Sequence, residues 1–448
     1  MNRRAKVHRS VLPWVLGFAL LPVGAAAAPQ ALRHHDHRAC LAPGGGGDDT
    51  AALQQALDAC SGSKRPCAVT LCEGVFPTGI LRVRDFRGTL RGAGRERTTL
   101  RALPDLEVSR DPDDFFRVDP FEPGQPWPYL LQFIEGEGRV EDLGILVPNP
   151  PAGAEVTSGW HLGGGDTIME LRGGLLVSGR GRVDFEVSDV KVEAEDPGTE
   201  LGTTVFSGVE FAGLLFNPAD VSEFPVFPAR GRFEVERSRL DGVLTGTSLA
   251  EIAEARVRVA RNRYRSTIAV DVIDADRSSI SVAGNRWTVS FRGVQVRQDV
   301  DGAPSRSSRL LVAANRGKLL PLFPGFGDAL AFEDPFGTDS PEPGGTSLRV
   351  LGNSWALGEG SAGVESGITA SGTGPLRIAD NRLAGRAATG IAVDITEGCR
   401  IRGNSMEDLD TGGGPKLQLG SGTSDCVAIV APGDGVLDEG SANQVIRQ

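Results

Sequence analysis

The sequence predicts an all-β fold, a solenoid in which one short strand-rich unit is stacked on copies of itself. Three observations carry that expectation. The stretch Ser279–Trp287, S-I-S-V-A-G-N-R-W, recurs as Arg256–Tyr264, Ser347–Trp355 and Pro375–Leu383. Arg400–Met406 is a shortened copy, and Arg309–Arg316 lacks the final apolar residue. Within each copy two apolar residues alternate with polar ones before a corner, an asparagine and, in the complete copies, a large apolar residue. Alternation over so few residues is a strand signal, and no helix-length apolar stripe interrupts it. Asn262, Asn285, Asn315, Asn353, Asn381 and Asn404 recur at intervals of 23 to 38 residues. A period of that size marks a solenoid, whose units bury their faces only by stacking.

The chain opens with a segment that reads as an export leader, residues 1–28. Arg3, Arg4, Lys6 and Arg9 precede an apolar run, Val11–Val23, too short to span a bilayer, and Ala25–Ala28 supplies small residues for cleavage. Residues 29–47 read as a flexible tail ending in Gly44–Gly47. Its His34, His35, Asp36 and His37 suit either a transition metal or simple solvation. A secreted or periplasmic protein without membrane insertion is expected.

Asp48, Asp49 and Thr50 have the chemistry of a helix N-terminus, since their oxygens can accept from free amide groups. Leu53, Ala56, Leu57 and Cys60 then form one apolar face at helical spacing. Short strands punctuated by glycine follow, at Ala68–Leu71, Gly79–Val83, Gly88–Leu90 and Thr98–Leu100. We assign 48–103 to a cap with the first strands, and 104–448 to the repeats with loop insertions. Without a cap, the first unit would expose its core and strand edges.

The order of D-D-T-A-A-L, amphipathic helix, strands and glycine turns, followed by asparagine repeats, resembles the pectin-lyase-like superfamily. The resemblance implies a right-handed parallel β-helix with a short N-terminal capping helix. It also implies an inward asparagine ladder at one turn, which the six asparagines fit, with Ser238, Asp189 and Asp142 as substitutes in earlier units. Trp287, Trp355, Tyr264, Leu240, Leu383 and Met406 share the position after the corner. Their alternation with arginine or serine makes them an inward core stack rather than a sugar platform.

Six cysteines, an even number, favour disulfides in an oxidising compartment; unpaired buried thiols are the alternative. Cys399 and Cys426 stand about one repeat apart, so they should meet on neighbouring rungs. The net charge of −11 becomes about −15 without the four leader cations. This balance opposes nucleic-acid binding and makes polyanionic glycans awkward partners unless calcium or a local arginine patch intervenes. Proline- and glycine-rich insertions at Asp105–Pro128, Phe216–Arg230, Asp299–Ser308 and Lys318–Gly345 interrupt the repeats. The last three precede asparagine strands, so they should gather on one side and build a groove.

No hydrolase signature of the superfamily's polygalacturonase branch is complete, and His161 sits in W-H-L rather than Gly-His-Gly. A second strand aligns as Ile268–Asp271, Val294–Arg297, Leu330–Glu333, Ile368–Ser371 and Ile391–Asp394. In this register Asp271, Arg297 and Glu333 form an outward column, the candidate catalytic set, with the acids about 9.6 Å apart around the arginine. Such a separation suits an inverting glycosidase, and a lyase would use the arginine with carboxylate-bound calcium. The bland alternative is an alternating-charge ladder on a solvated face. Two functions therefore stand open. One is an exported protein engaging polysaccharide as a lyase or hydrolase; the other is a non-catalytic envelope or surface protein binding a glycan or protein. A monomer is expected.

Overall fold

The computed structural model describes residues 40–63, 65–103, 129–147, 173–194, 207–215, 226–297, 307–333, 345–358 and 363–448. Residues 1–39 with the His34–His37 tract, His161 and most of the four insertions lie outside the described residues. Strands dominate, and each pairs in parallel with its equivalents one rung away; the short strand Val226–Phe227, antiparallel to Ser207–Leu215, is the exception.

A rung consists of three strand segments. The first ends at the asparagine corner and pairs from Arg256 to Ser279, Arg309 and Ser347. The second follows the corner, pairing Arg263 with Arg286 and Arg286 with Arg316. The third pairs Val270 with Val294, Leu330 and Ile368. Inward alternation fills one continuous core, in which Val282, Val294, Leu330 and Ile368 are fully or almost fully buried.

The corner has two devices. Arg237, Arg261, Gly284, Ala314, Gly352, Asp380 and Gly403 each take a left-handed conformation, with φ from 51° to 66°. The next residue is the ladder residue. Asn285 Oδ1 accepts from the Asn262 amide at 2.9 Å, while its Nδ2 donates to the Val259 carbonyl at 2.9 Å and to Asn315 Oδ1 at 3.0 Å. Asn315, Asn353 and Asn381 repeat this set, and Asn404 ends it. Left-handed backbone costs a non-glycine residue about 1–2 kcal/mol, which the ladder bonds offset.

Ser238 takes the ladder place as expected, donating its amide to Asn262 Oδ1 at 2.9 Å and accepting from the Val190 amide at 3.2 Å. Asp189 and Asp142 do not. They occupy the left-handed position one residue earlier, with φ of 54° and 57°, so Val190 and Leu143 follow the corner there. Aspartate tolerates that backbone for the same reason asparagine does, which is how the pattern misled.

The residues after the ladder are core, as the alternation predicts: Trp287 and Trp355 are 4% and 2% exposed. Between these rungs stands Gly317, in register with both tryptophans. A Cβ there would meet Trp287 Nε1 at 1.8 Å, so the unit lacking an apolar residue is the one that accommodates the indole ring.

Helix α1, Thr50–Asp58, buries Leu53 and Leu57. Asp48 rather than Asp49 accepts from the Thr50 amide, at 2.9 Å; Asp49 instead accepts from Gly44. Gln54 ties the helix to the backbone of Arg82 through both its amide atoms. The expected strands at Gly79–Val83 and Gly88–Leu90 are one strand, Leu81–Arg91. Cys399 and Cys426 are bonded on adjacent rungs, and Cys40–Cys72 and Cys60–Cys67 complete three disulfides.

Candidate functional site

The third strand of each rung presents an outer face that is unusually buried and polar. Glu210, Ser248, Asp271 and Gln295 succeed one another in register on it and are 2–7% exposed. Farther along, Ala331 and Thr369 continue the same column. Tyr129 donates its hydroxyl to Glu210, and Tyr129, Ile134, Leu176 and Ala212 make a small apolar cluster separate from the main core.

The expected column of Asp271, Arg297 and Glu333 requires correction. Arg297 does pair with Glu333, but its partner on the preceding rung is Ile273; Asp271 pairs with Gln295. The Asp271 rung is thus displaced by two residues from the expected alignment, and its segment between Ser266 and Ile268 is one residue shorter than that of the next rung. Asp271 is reached diagonally, Arg297 Nη2 lying 3.4 Å from its Oδ2. Two rungs and two residues separate the Asp271 and Glu333 backbones by roughly 12 Å, rather than the two-rung spacing. Nor does Glu333 turn to Arg297: both its oxygens accept from Arg292, at 2.7 and 3.0 Å.

Arg292 organises the centre of this face. Its side chain is 11% exposed, and its Nε lies 3.4 Å from Asp328 Oδ2 while the guanidinium fork holds Glu333. Thr369 donates to the other oxygen of Asp328, at 3.1 Å. Asp328 is 1% exposed, and that burial pushes its carboxyl up to about 7; Arg292 and the Thr369 hydroxyl oppose the rise, while Glu365 and Glu333 reinforce it. A buried carboxyl that changes protonation near neutrality, next to an ionised partner, is equipped for acid–base chemistry.

An aromatic surface adjoins it. The Arg292 guanidinium lies 4.5 Å above the Phe291 ring, and Phe291 stacks on Phe326 at 4.7 Å. Phe323 meets Phe326 edge-on at 6.5 Å; it is 56% exposed and Phe326 49%. Such a patch offers a flat apolar face beside ionisable groups.

Arg292 and Asp328 were missed because the aligned segments began at Val294 and Leu330. They pair directly, but they share the parity of the inward Val294 and Leu330, so alternation carried back along the strand places them in the core. Phe323 and Phe326 lay in a stretch read only for its proline and glycine. Among the described residues no cluster of three or more His, Cys, Asp or Glu residues has the arrangement of a metal site.

The comparisons with known proteins bear on the fold. No protein-family model matches the chain, and no curated protein matches it by sequence. Among solved structures, DFA-IIIase from Arthrobacter chlorophenolicus A6, in complex with DFA-III, superposes with a TM-score of 0.51 at 8% identity. That match covers 86% of this chain and 91% of the other. The fold is that of the pectate-lyase-like parallel β-helix proteins. The mannuronan C-5 epimerase A-module of Azotobacter vinelandii aligns at 12% identity over 90% of this chain and 94% of that one, with a TM-score of 0.46. An exopolygalacturonase of Yersinia enterocolitica aligns at 12% identity, 90% and 76% coverage, and a TM-score of 0.45.

Proposed function

We propose that this β-helix protein binds polysaccharide along the outer face of its third sheet and cleaves it at Asp328. The observation that carries the reading is one arginine shared by two carboxylates beside an exposed aromatic surface. Arg292 contacts Asp328 and Glu333 while resting on Phe291, whose stack continues to Phe326 and Phe323. Sugars present apolar ring faces and polar edges, which match a phenylalanine floor bordered by ionised groups. Asp328, held protonated by burial up to near neutrality, is the general acid; Arg292 holds Glu333 in place through two hydrogen bonds. The Asp271–Arg297 pair, also outward on this face, is the adjoining polar contact for the chain. Similarity to DFA-IIIase in complex with DFA-III supports the fold and only by analogy the ligand class.

One observation favours the non-catalytic alternative. Glu333 is already engaged by both terminal nitrogens of Arg292, as a structural ion pair would be. A single experiment separates the two. Purified protein is incubated with neutral and uronate polysaccharides, and reducing ends and unsaturated products are followed in parallel. New ends from the wild type and none from Asp328→Asn support cleavage. Binding without any product assigns the surface to recognition alone.

The same proposal takes the helix as right-handed, with α1 as its N-terminal cap, followed by the repeats. It takes residues 1–28 as a leader for export to the periplasm or exterior and 29–47 as a tail. Three disulfides support an oxidising destination. No helix among the described residues is long and apolar enough to cross a membrane.

A further inference from the structure

The chain leaves the second strand of one rung, Arg316–Leu319, through the loop Leu320–Phe326, which reads L-P-L-F-P-G-F. Six large hydrophobic side chains stand exposed among the described residues, and Leu322, Phe323 and Phe326 are three of them, at 38%, 56% and 49%. Single exposed apolar residues are ordinary, but three within five residues form a patch that calls for a partner. The loop is also held in shape. Gly325 turns the chain at φ 78° and donates its amide to the Gly363 carbonyl at 2.7 Å, and the Phe326 amide donates to the Phe323 carbonyl at 3.3 Å. Phe326 rests on Phe291, whereas Phe323 meets that stack only edge-on, so Leu322 and Phe323 hold an apolar tip out in water.

The sheets beside this loop are basic on their outer faces. Arg263, Arg286 and Arg316 succeed one another on the second sheet, and Arg349, Arg377 and Arg400 on the first. All six are exposed, and none makes an ion pair with any described residue. Between Arg256 and Ala379 no acidic residue among the described ones stands at an outward position of either sheet. The N-terminal rungs are built otherwise: Arg87 faces Glu137, Arg91 faces Glu141 and Arg139 faces Glu186, each as an ion pair. Like charges side by side oppose strand pairing, and the whole chain is acidic at −11, so this half gathers positive charge against both trends.

We propose that this face docks on an anionic lipid surface, with the second sheet against the headgroups and the Leu322–Phe323 tip in the acyl boundary. The second sheet bears the loop at one edge and the asparagine corner at the other, and the first-sheet arginines lie just across that corner. Their field adds to the attraction, since charges within about 10 Å still act on one another at about 0.1 M salt. The two features select lipid only together. A dissolved polyanion uses the arginines and leaves the tip in water; an apolar protein surface uses the tip and leaves the arginines unmatched. Acidic headgroups over acyl chains meet both. Seating of this kind is peripheral and needs no spanning segment. It does not rest on the polysaccharide reading, because the Asp328 cluster and Phe326 take no part in it.

Partition of the full chain is measured by flotation with vesicles of phosphatidylcholine alone and of phosphatidylcholine with about one-third phosphatidylglycerol. Two variants are compared, Leu322→Ser/Phe323→Ser and Arg263→Ser/Arg286→Ser/Arg316→Ser, with thermal unfolding as the check that each is folded. A third, Phe323→Trp, keeps the apolar tip and adds a fluorophore that brominated acyl chains should quench. The expected result is partition to the acidic vesicles alone, falling as salt rises and weakened about tenfold or more by each serine variant. Absence of binding to acidic vesicles, or equal binding to both kinds, overturns the proposal. So does added fluorescence that stays unquenched in vesicle-bound Phe323→Trp. Undiminished binding by the folded tip variant assigns the face to polyanions in general and overturns it as well, and undiminished binding by the folded arginine variant does the same.

Discussion

Arg292 Nε lies 3.4 Å from Asp328 Oδ2, yet the Asp328 carboxyl stays protonated up to about 7. Burial has outweighed the neighbouring cation, whose fork is already committed to Glu333. One guanidinium thus serves two carboxylates unequally, leaving Glu333 the better hydrogen-bonded and Asp328 the better buried.

That inequality makes stability depend on pH in a defined direction. Asp328 titrates near 7 when folded and near about 3.9 when unfolded. Between those values the folded state holds a proton that the unfolded chain has released. The contribution is fully present below about pH 4 and is lost as pH rises toward about 7, at about 1.4 kcal/mol per unit. Urea unfolding of wild type and Asp328→Asn across this window should show the difference between them changing with that slope. A pH-independent difference would remove Asp328 from the argument.

Arg292 should be the costlier residue to remove. Arg292→Met takes both donors from Glu333 and leaves Asp328 buried and protonated, so the loss is that of hydrogen bonds to a charged group, about 1.5–3 kcal/mol. Glu333 is 39% exposed on its side chain, so Glu333→Gln should cost less than about 1 kcal/mol. Chemical denaturation of the two variants at neutral pH gives the comparison directly.

The ladder makes a separate prediction. Asn315→Ala removes the acceptor of the Asn285 amide and the donor to the Val282 carbonyl, both in the interior. Each abandoned group costs about 1–3 kcal/mol, so the melting temperature should fall by several degrees. Asn404→Ala, at the partly exposed end of the run, should cost less. Equal melting of both variants with wild type would count against a structural ladder.

How far the sequence could be read follows from these cases. Asn285 and Trp287 were legible because burial imposes the same residue on every rung, so the period is printed in the chain. Asp189 was misplaced by one residue because aspartate suits both the ladder and the left-handed corner before it. The outer face of the third sheet carries no such repetition. Asp271 slipped by two because side-chain direction repeats every second residue, and a register two residues off buries the same apolar set. Asp328 and Arg292 become a pair only through stacking of strands separated by a long insertion, and Phe326 meets Phe291 across the same interval.

Gly317 supplies a prediction about packing. Gly317→Ala places a methyl group 1.8 Å from the original position of Trp287 Nε1, which no rotation of a methyl relieves. Overpacking of this kind costs about 1–3 kcal/mol, and more where the ring cannot move. Trp287→Leu alone should also destabilise, through the cavity it opens beside Trp355. The double variant should be more stable than the sum of the single losses, since the leucine vacates the space the alanine needs. Strict additivity in a thermal-unfolding cycle would mean that the glycine is not there for the indole.

The aromatic surface gives the last test. Phe323 and Phe326 are about half exposed, so truncating them forfeits little burial, and Phe326→Ala should alter stability by less than about 1 kcal/mol. If the surface receives sugar rings, the same change should weaken polysaccharide binding by roughly tenfold, the loss expected when a contact worth about 1.4 kcal/mol disappears. Phe291 is a poorer probe, because its ring also carries the Arg292 guanidinium and its removal disturbs the ion pairs with Asp328 and Glu333. Comparing Phe326→Ala with Phe291→Ala therefore separates the floor from the charges above it. A polysaccharide on the proposed face is weakened by both variants, whereas only Phe291→Ala should shift the pH dependence set by Asp328. Undiminished binding by the folded Phe326→Ala protein would place the polysaccharide elsewhere.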